Sequence, residues 1–501
     1  MKWLALGASV LFLAASPARA GEVPVGTSAE LTLAIGAAQP GDTLVLGAGK
    51  YALSGASCTA QATAAQPIVV KSAVPLAAEI EFDGLEGFKV SGAHWHFEGL
   101  VVRGVCANDD DCEHAFHVTG AAEGFVLRHS RVLDFNAQLK VNAEPSGNGW
   151  LAPHGGLVEY CEIADTAPRD TSNPVTKLNI NNGDDWLVRG NYLHDFHKNG
   201  SNGVSYGAFM KGGSKNGIFE RNLVACTKDL ATGGTRIGLS FGGGGTAPQF
   251  CAPAFDANTP CNVEHEGGVM RNNLILSCSD VGVYLNRATA TRILHNTLVA
   301  TSGVDFRFDT TTGEALANLM MGKIRERDGG TFTGADNVTE LLLDYFTALY
   351  VAPVGLDFTI AKDDPALQQA PVLPDVSDDY CARARPQENR AIGALEHSLG
   401  SCDVSPPPEG ATSGAGGADA GETTGAGGAA SGGASSAEGG GATSGAGGTG
   451  TGGGDASAEG TDGGCGCHAA GQRPPALTPW LLLAASLPIF GWRRRAVARA
   501  S

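Results

Sequence analysis

Seven short segments place cations, amides and hydroxyls on either side of one residue, large and apolar in each. They are His117-Val118-Thr119, Lys140-Val141-Asn142, Asn179-Ile180-Asn181, Phe209-Met210-Lys211, Ser240-Phe241-Gly242, Tyr284-Leu285-Asn286 and Arg307-Phe308-Asp309. In extended chain successive side chains face opposite ways, so the middle residue points inward and its neighbours outward. Stacked at ~4.8 Å per strand, Lys140 and Lys211 fall two coils apart, with Asn179 and Asn181 between them. The outward residues Lys140, Asn142, Asn179, Asn181, Lys211, Tyr284, Asn286 and Arg307 then form a stripe about as long as an oligosaccharide. Amides bond sugar hydroxyls, and Lys or Arg pairs with carboxylates. Such a stripe suits an anionic, hydroxyl-rich polymer.

The chemistry open to it is removal of a proton beside a carboxylate. That needs a cation to neutralise the carboxylate, a base and an acid, and a Lys whose pKa neighbouring cations lower can be the base. The competing reading is purely structural, because any solenoid puts polar residues outside and Asn can ladder for stability alone. Two features favour a site: cations recur although 52 acidic residues outnumber 34 basic ones, and Gly212-Gly213 and Gly242 to Gly245 leave space beside the face. A glycoside hydrolase needs two flanking carboxylates, and the stripe offers only Asp309.

Other clusters are less specific. Glu264-His265-Glu266 sets two carboxylates on one side of a strand, for calcium or acid–base work, or as a solvated loop edge. Asp109-Asp110-Asp111 reads as a calcium loop or as surface. His114 and His117 share a face, as do His94 and His96, without metal-grade spacing.

The elements that must carry these residues repeat. Segments such as Trp186-Leu-Val-Arg-Gly-Asn-Tyr-Leu193, Ile218-Phe-Glu-Arg-Asn-Leu-Val224 and Ile293-Leu-His-Asn-Thr-Leu-Val299 set a small polar residue between apolar ones. That residue falls at Ser130, Cys161, Asn191, Asn222, Asn273, Asn296 and Asn318, at intervals of 31, 30, 31, 51, 23 and 22. The 51 is read as about two turns, since the strand-like Ile237 to Phe241 lies inside it. Short β-rich segments bounded by Gly, Asn and Asp, with no alternating helices, predict an all-β fold: a single-stranded right-handed parallel β-helix, or solenoid. Residues 21–402 form it, with an insertion at about 242–262.

Its ends carry a resemblance. Ser28 to Ala38 reads as a short amphipathic helix, followed by Gly41-Asp42-Thr43-Leu44 and Gly49-Lys50-Tyr51. This is similar to the opening of pectin-lyase-like β-helices. Arg385-Pro386-Gln387 with Ile392-Gly393-Ala394-Leu395-Glu396 resembles the closing segment of many secreted β-helices, with Ala391 where that pattern has Asp. Within this superfamily Val204 to Lys211 resembles the base-bearing strand of polysaccharide lyase family six, the alginate lyase and chondroitinase B group. The resemblance implies Lys211 as base. Val204 and Tyr206 stand where that family has calcium-ligating Glu residues, and Phe241-Gly242 where it has Arg-His-Gly, the nearest Arg being Arg236. Expected catalytic residues are thus Lys211 and Arg236, with calcium at Glu264 and Glu266. The expected function is cleavage of uronate polysaccharide by β-elimination, or binding of such a glycan without cleavage.

The termini and composition set the context. Met1-Lys2, an apolar stretch and Ala18-Arg19-Ala20 read as a signal peptide over residues 1–20. Residues 403–463 are Gly, Ala, Ser and Thr with scattered acids, a composition that builds no core, and are expected to be a disordered linker. Residues 464–501 hold Cys465-Gly466-Cys467, an apolar run from Ala476 to Trp492 read as a short hydrophobic helix, and Arg493-Arg494-Arg495. They resemble a MYXO-CTERM sorting tail, which implies delivery to the cell surface with processing near Cys465 and Cys467; a simple single-pass anchor is the alternative. Membrane contact is expected only through that tail. The net charge of −18 argues against nucleic acid, and a monomer is expected. Export permits disulfides: Cys106–Cys112, Cys251–Cys261 and Cys381–Cys402 bracket short loops, while Cys58, Cys161, Cys226 and Cys278 are left open.

Overall fold

The computed structural model describes residues 21–230 and 233–404. The signal segment, the linker from residue 405 and the tail with Cys465 and Cys467 lie outside the described residues; Val404, expected in the linker, is instead buried in the core, so the domain runs past 402. Among the described residues no helix is long and apolar enough to cross a membrane.

The chain winds into a right-handed parallel β-helix of three long parallel sheets, one of twelve strands and two of ten. One coil shows the pattern. Leu187–Arg189 belongs to the twelve-stranded sheet and Tyr192–His194 to the first ten-stranded sheet. Val204–Lys211 belongs to the second, and Ile218–Glu220 starts the next coil above Leu187–Arg189. Inward side chains stack coil upon coil. Phe88, Phe97, Phe116 and Phe125 are fully or almost fully buried, with ring centroids 4.8–5.8 Å apart. Burying each is worth about 1.5–3 kcal/mol. The helix Ser28–Ala37, capped by Thr27, closes the first coil with Leu31 and Ile35.

The bend between the twelve-stranded and first ten-stranded sheets is only two residues long. Its first residue is left-handed: Gly190 (φ 62°), Arg221 (53°), Asn272 (54°), His295 (50°) and Ala317 (56°). Outside glycine that conformation costs about 1–2 kcal/mol per residue. The second residue offsets it. Asn191, Asn222, Asn273, Asn296, Asn318 and Asn337 form a ladder, each Nδ2 donating to the next Oδ1 at 2.9–3.1 Å. Each Oδ1 also accepts the backbone N–H of the preceding Asn at 2.9–3.1 Å. The side chain thereby satisfies the buried donors that the sharp turn strands.

The fold departs from expectation in two places. Asn222 bonds Asn273 directly, so the 51-residue interval is one coil, not two. Its strand Thr235–Phe241 belongs to the ordinary second ten-stranded sheet, and the surplus is the excursion over residues 242–264. The last polar segment is also slipped by two: Tyr284 pairs with Asp305 and Asn286 with Arg307, because Phe308 turns left-handed (φ 74°) and ends the strand. Arg307 keeps its outward parity, while Asp309 leaves the sheet.

Disulfides join Cys106–Cys112, Cys251–Cys261 and Cys381–Cys402, and also Cys226–Cys278, while Cys58 and Cys161 are buried thiols. The C-terminal segment covers the outer face of the first ten-stranded sheet. There Leu223, Leu274, Leu276 and Val299 meet Phe346, Leu349, Phe358 and Leu367. Arg385 is fully enclosed, donating to Asn272 Oδ1 (3.0 Å), Gly393 O (2.8 Å) and Glu396 Oε2 (3.2 Å). Glu396 in turn accepts the N–H of Ala391 (3.0 Å).

Candidate functional site

The second ten-stranded sheet carries the polar stripe. His117, Lys140, Asn179, Phe209, Ser240 and Tyr284 stand in one row across adjacent strands, and Lys89 extends it at the N-terminal end. Asn142, next to Thr119 in register, opens a second row, in which Asn181 pairs with Lys211 and Asn286 with Arg307.

The two rows are not equally open. Asn179, Asn181, Lys211, Tyr284 and Asn286 are each under a tenth exposed. The excursion 242–264 lies over the middle of the face. Lys211 Nζ donates to Gly245 O (2.7 Å) and lies 4.9 Å from the Phe209 ring centroid. Asn286 Nδ2 donates to Gly243 O (2.8 Å), and Asn182 Nδ2 to Phe250 O (2.9 Å). Of the glycines read as open space above the sheet, Gly242 to Gly245 begin the loop that closes on it, and Gly212-Gly213 lie against that loop at Ala252 and Glu264. What stays accessible is Lys89, His117, Lys140 and Asn142 at one end and Arg307 at the other. Arg307 there bridges Asp328 Oδ2 (2.5 Å) and Tyr284 Oη (3.2 Å).

Lys211 and Arg236 are not brought together. Arg236 pairs with Ser205, six residues along the strand from Lys211, or roughly 20 Å at ~3.3 Å per residue. Its guanidinium bonds Gly233 O, and burial lowers its pKa. Glu264 and Glu266 also face apart. Glu264 is buried and accepts Gly212 N (3.0 Å), Thr246 N (2.6 Å) and Thr246 Oγ1 (2.6 Å), pinning the loop. Glu266 is exposed and pairs with Lys215 (2.9 Å). Calcium takes six to eight oxygens, and these two carboxylates, spent on separate partners, do not fit it. In the Asp109–Asp111 turn, Asp109 pairs with Arg169 (2.9 Å) and Asp110 with Thr171, so two of the three acids tie neighbouring loops.

At the open N-terminal end stands a group that the repeat does not reveal. Among the described residues, Glu86, His114 and His117 are the three His, Cys, Asp or Glu side chains whose donor atoms converge, all within 4.8 Å of one another. His117 Nδ1 hydrogen-bonds Glu86 Oε1, and its Nε2 lies 2.7 Å from Asn142 Oδ1. His114 Nδ1 lies 3.8 Å from Glu86 Oε1, and its Nε2 3.7 Å from Glu113 Oε1. Burial pushes the His114 imidazole down to about 4, the Glu86 carboxylate opposing. Lys140 sits on the strand beside His117, its Nζ 3.4 Å from Asn179 Oδ1. Three residues apart, His114 and His117 have opposite parity in a regular strand; they reach one face because the strand bends at Ala115-Phe116, where both side chains turn inward. Glu86 belongs to the preceding strand, Glu86–Val90, and nothing in the repeat marks it.

Neither a protein-family profile nor a curated protein sequence matches the chain. Among solved structures it is similar to the pectate lyase Pel9A, at 12% identity and TM-score 0.47, over 73% of this chain and 90% of that one. A rhamnogalacturonan lyase aligns at 13% identity and TM-score 0.43, over 62% and 84%. An alginate lyase from Paenibacillus sp. str. FPU-7 aligns at 13% and 0.33, over 63% and 99%. At this level no residue correspondence follows.

Proposed function

We propose that the protein binds acidic polysaccharide on the open end of the second ten-stranded sheet and cleaves it by β-elimination. The observation that carries this reading is the row Lys89, His117, Lys140, Asn179 on four adjacent strands. It offers cations and an amide at ~4.8 Å steps on a protein of net charge −18. In this reading one of the two lysines that flank His117 in register, Lys89, neutralises the uronate carboxylate, and the other, Lys140, takes the adjacent proton. Asn142, the accessible amide at this end, holds a hydroxyl. Lys211 serves as base only if the loop over it opens. The four disulfides support an exported protein, and surface tethering by the tail belongs to the same proposal.

A second reading, glycan binding without cleavage, is favoured by one contact: the Lys211 ammonium is capped by Gly245 O. Incubating the protein with a panel of uronate polymers and following absorbance from unsaturated ends decides between them. A rise abolished in Lys140→Ala and kept in Lys211→Ala supports cleavage with Lys140 as the base. The reverse result moves the base to Lys211. Retained binding with no rise on any polymer leaves the binding module.

A further inference from the structure

We propose that Glu86, His114 and His117 form a binding site for a transition-metal dication of the zinc class. The ligand set is two imidazole nitrogens and one carboxylate oxygen, which suits zinc and its neighbours and not calcium, whose ligands are oxygens.

The tautomers support it. His117 Nε2 faces Asn142 Oδ1, an acceptor, at 2.7 Å. His114 Nε2 faces the Glu113 carboxylate at 3.7 Å. The Asn142 oxygen holds the His117 proton on Nε2 and leaves its Nδ1 lone pair directed towards Glu86; the Glu113 carboxylate, too far for a hydrogen bond, favours the same tautomer of His114 by its charge alone. This is the arrangement of metal-bound histidines, whose second nitrogen donates to a carboxylate or carbonyl oxygen. Three acceptors then converge. Without a cation, one proton must sit between His117 and Glu86, and His114 Nδ1 is buried with no hydrogen-bond partner. A cation among them satisfies all three.

The geometry needs a small adjustment. A tetrahedral zinc at ~2.05 Å sets its donor atoms roughly 3.4 Å apart; the wider pairs, which lie within 4.8 Å, must close, and His117 Nδ1 and Glu86 Oε1, already in hydrogen-bond contact, must part. Side-chain rotation supplies that, since the three residues stand on two adjacent strands whose backbones are fixed by pairing. The competing cation is the exposed Lys89, whose Nζ lies 3.9 Å from Glu86 Oε2 and can turn to solvent. Three protein ligands leave a fourth position towards the open face beside Lys140, the pattern of a reactive rather than a structural site. Only the last step rests on the proposed function: there a uronate carboxylate takes the fourth position. Metal binding stands without it.

The test is zinc binding by the full chain, measured by equilibrium dialysis and calorimetry against His114→Ala/His117→Ala, with thermal melting to confirm that the variant folds. Any zinc held by Cys465 and Cys467 survives in that variant, so the difference between the two chains is what counts. The expected result is one additional equivalent in the parent chain. Asn142→Ala should weaken that binding by about 10–100-fold, as outer partners of ligating histidines do. Cobalt alone should give visible absorption bands in the parent and lose them in the double variant. Equal zinc in both folded chains, or calcium binding that outcompetes zinc at this site, overturns the proposal. Zinc binding with no cleavage of any polymer leaves the site intact and sinks the enzymatic reading alone.

Discussion

At the scale of the residue, His265 shows how burial fixes protonation. It has no exposed surface, its ring stacks on Phe241 with centroids 4.2 Å apart, and Nδ1 lies 2.8 Å from Ser214 Oγ. Burial pushes its pKa down to about 3, so the folded chain holds it neutral while the unfolded chain takes up a proton near 6.5. Asp195 acts in the same sense at lower pH: its carboxyl is held down to about 2 despite burial, by His194 and three backbone N–H groups. The unfolded state binds more protons in both cases, so stability falls as pH drops. The histidine contribution is lost from about 6.5 towards 3 and the aspartate contribution from about 4 towards 2, at roughly 1.4 kcal/mol per pH unit for each group. Melting temperatures between pH 7 and pH 4 should fall steadily, and His265→Gln should flatten that fall. An unchanged slope in a folded His265→Gln variant would rule the residue out.

At the scale of the element, the asparagine ladder and the 242–264 loop make opposite predictions. Asn273 accepts from Asn222 and donates to Phe219 O and Asn296 Oδ1. Asn273→Ala leaves several of these buried groups unpaired at about 1–3 kcal/mol each, so denaturant unfolding should register a loss of about 3 kcal/mol or more. The loop is anchored by the Glu264 carboxylate on Thr246, with Lys211, Asn286 and Asn182 donating to its carbonyls. Glu264→Ala should free it and raise the rate at which Lys211 is acetylated, read by mass spectrometry against the exposed Lys50 and Lys323. Lys211 protection unchanged in that variant would show that the loop is held elsewhere. The ladder was legible in the sequence because an Asn recurs after a left-handed residue in a three-residue strand rhythm. The closure over Lys211 was not, since glycines between strands signal backbone freedom without saying which way the chain turns. Nor was Glu86, because a residue contributed by a neighbouring coil becomes adjacent only once register is fixed, and its strand lies one coil before the first recognisable polar segment.

At the scale of the whole molecule, the coils form a nearly one-dimensional stack whose stability is a sum over neighbours, and the C-terminal segment is the element that violates that locality. It returns across several coils, linking Arg221 to Asp378, Arg271 to Asp375 O and Arg385 to Asn272. Removing one partner from an enclosed charge costs about 3–5 kcal/mol. Arg385→Ala should therefore lower the melting temperature and bring the coils carrying Asn222 to Asn318 into hydrogen exchange together. Exchange changes confined to residues 378–396 would mean that the segment is a passive cover. The resemblance of the two ends to other β-helices was readable because closing a stack needs particular residues. The function was less readable, because one winding presents many different faces.

The two-residue bend also governs where this chain can grow. Every strand leaving the twelve-stranded sheet from Asn191 onward must step over the same corner, spaced by one amide per turn, so a single inserted residue there would break the row in both directions. The other two corners carry no such gauge: from one coil to the next they absorb anything from a few residues to the stretch between Phe241 and His265. The corner acts like a gear rack of fixed pitch, and new attachments can be added only on the sides away from it.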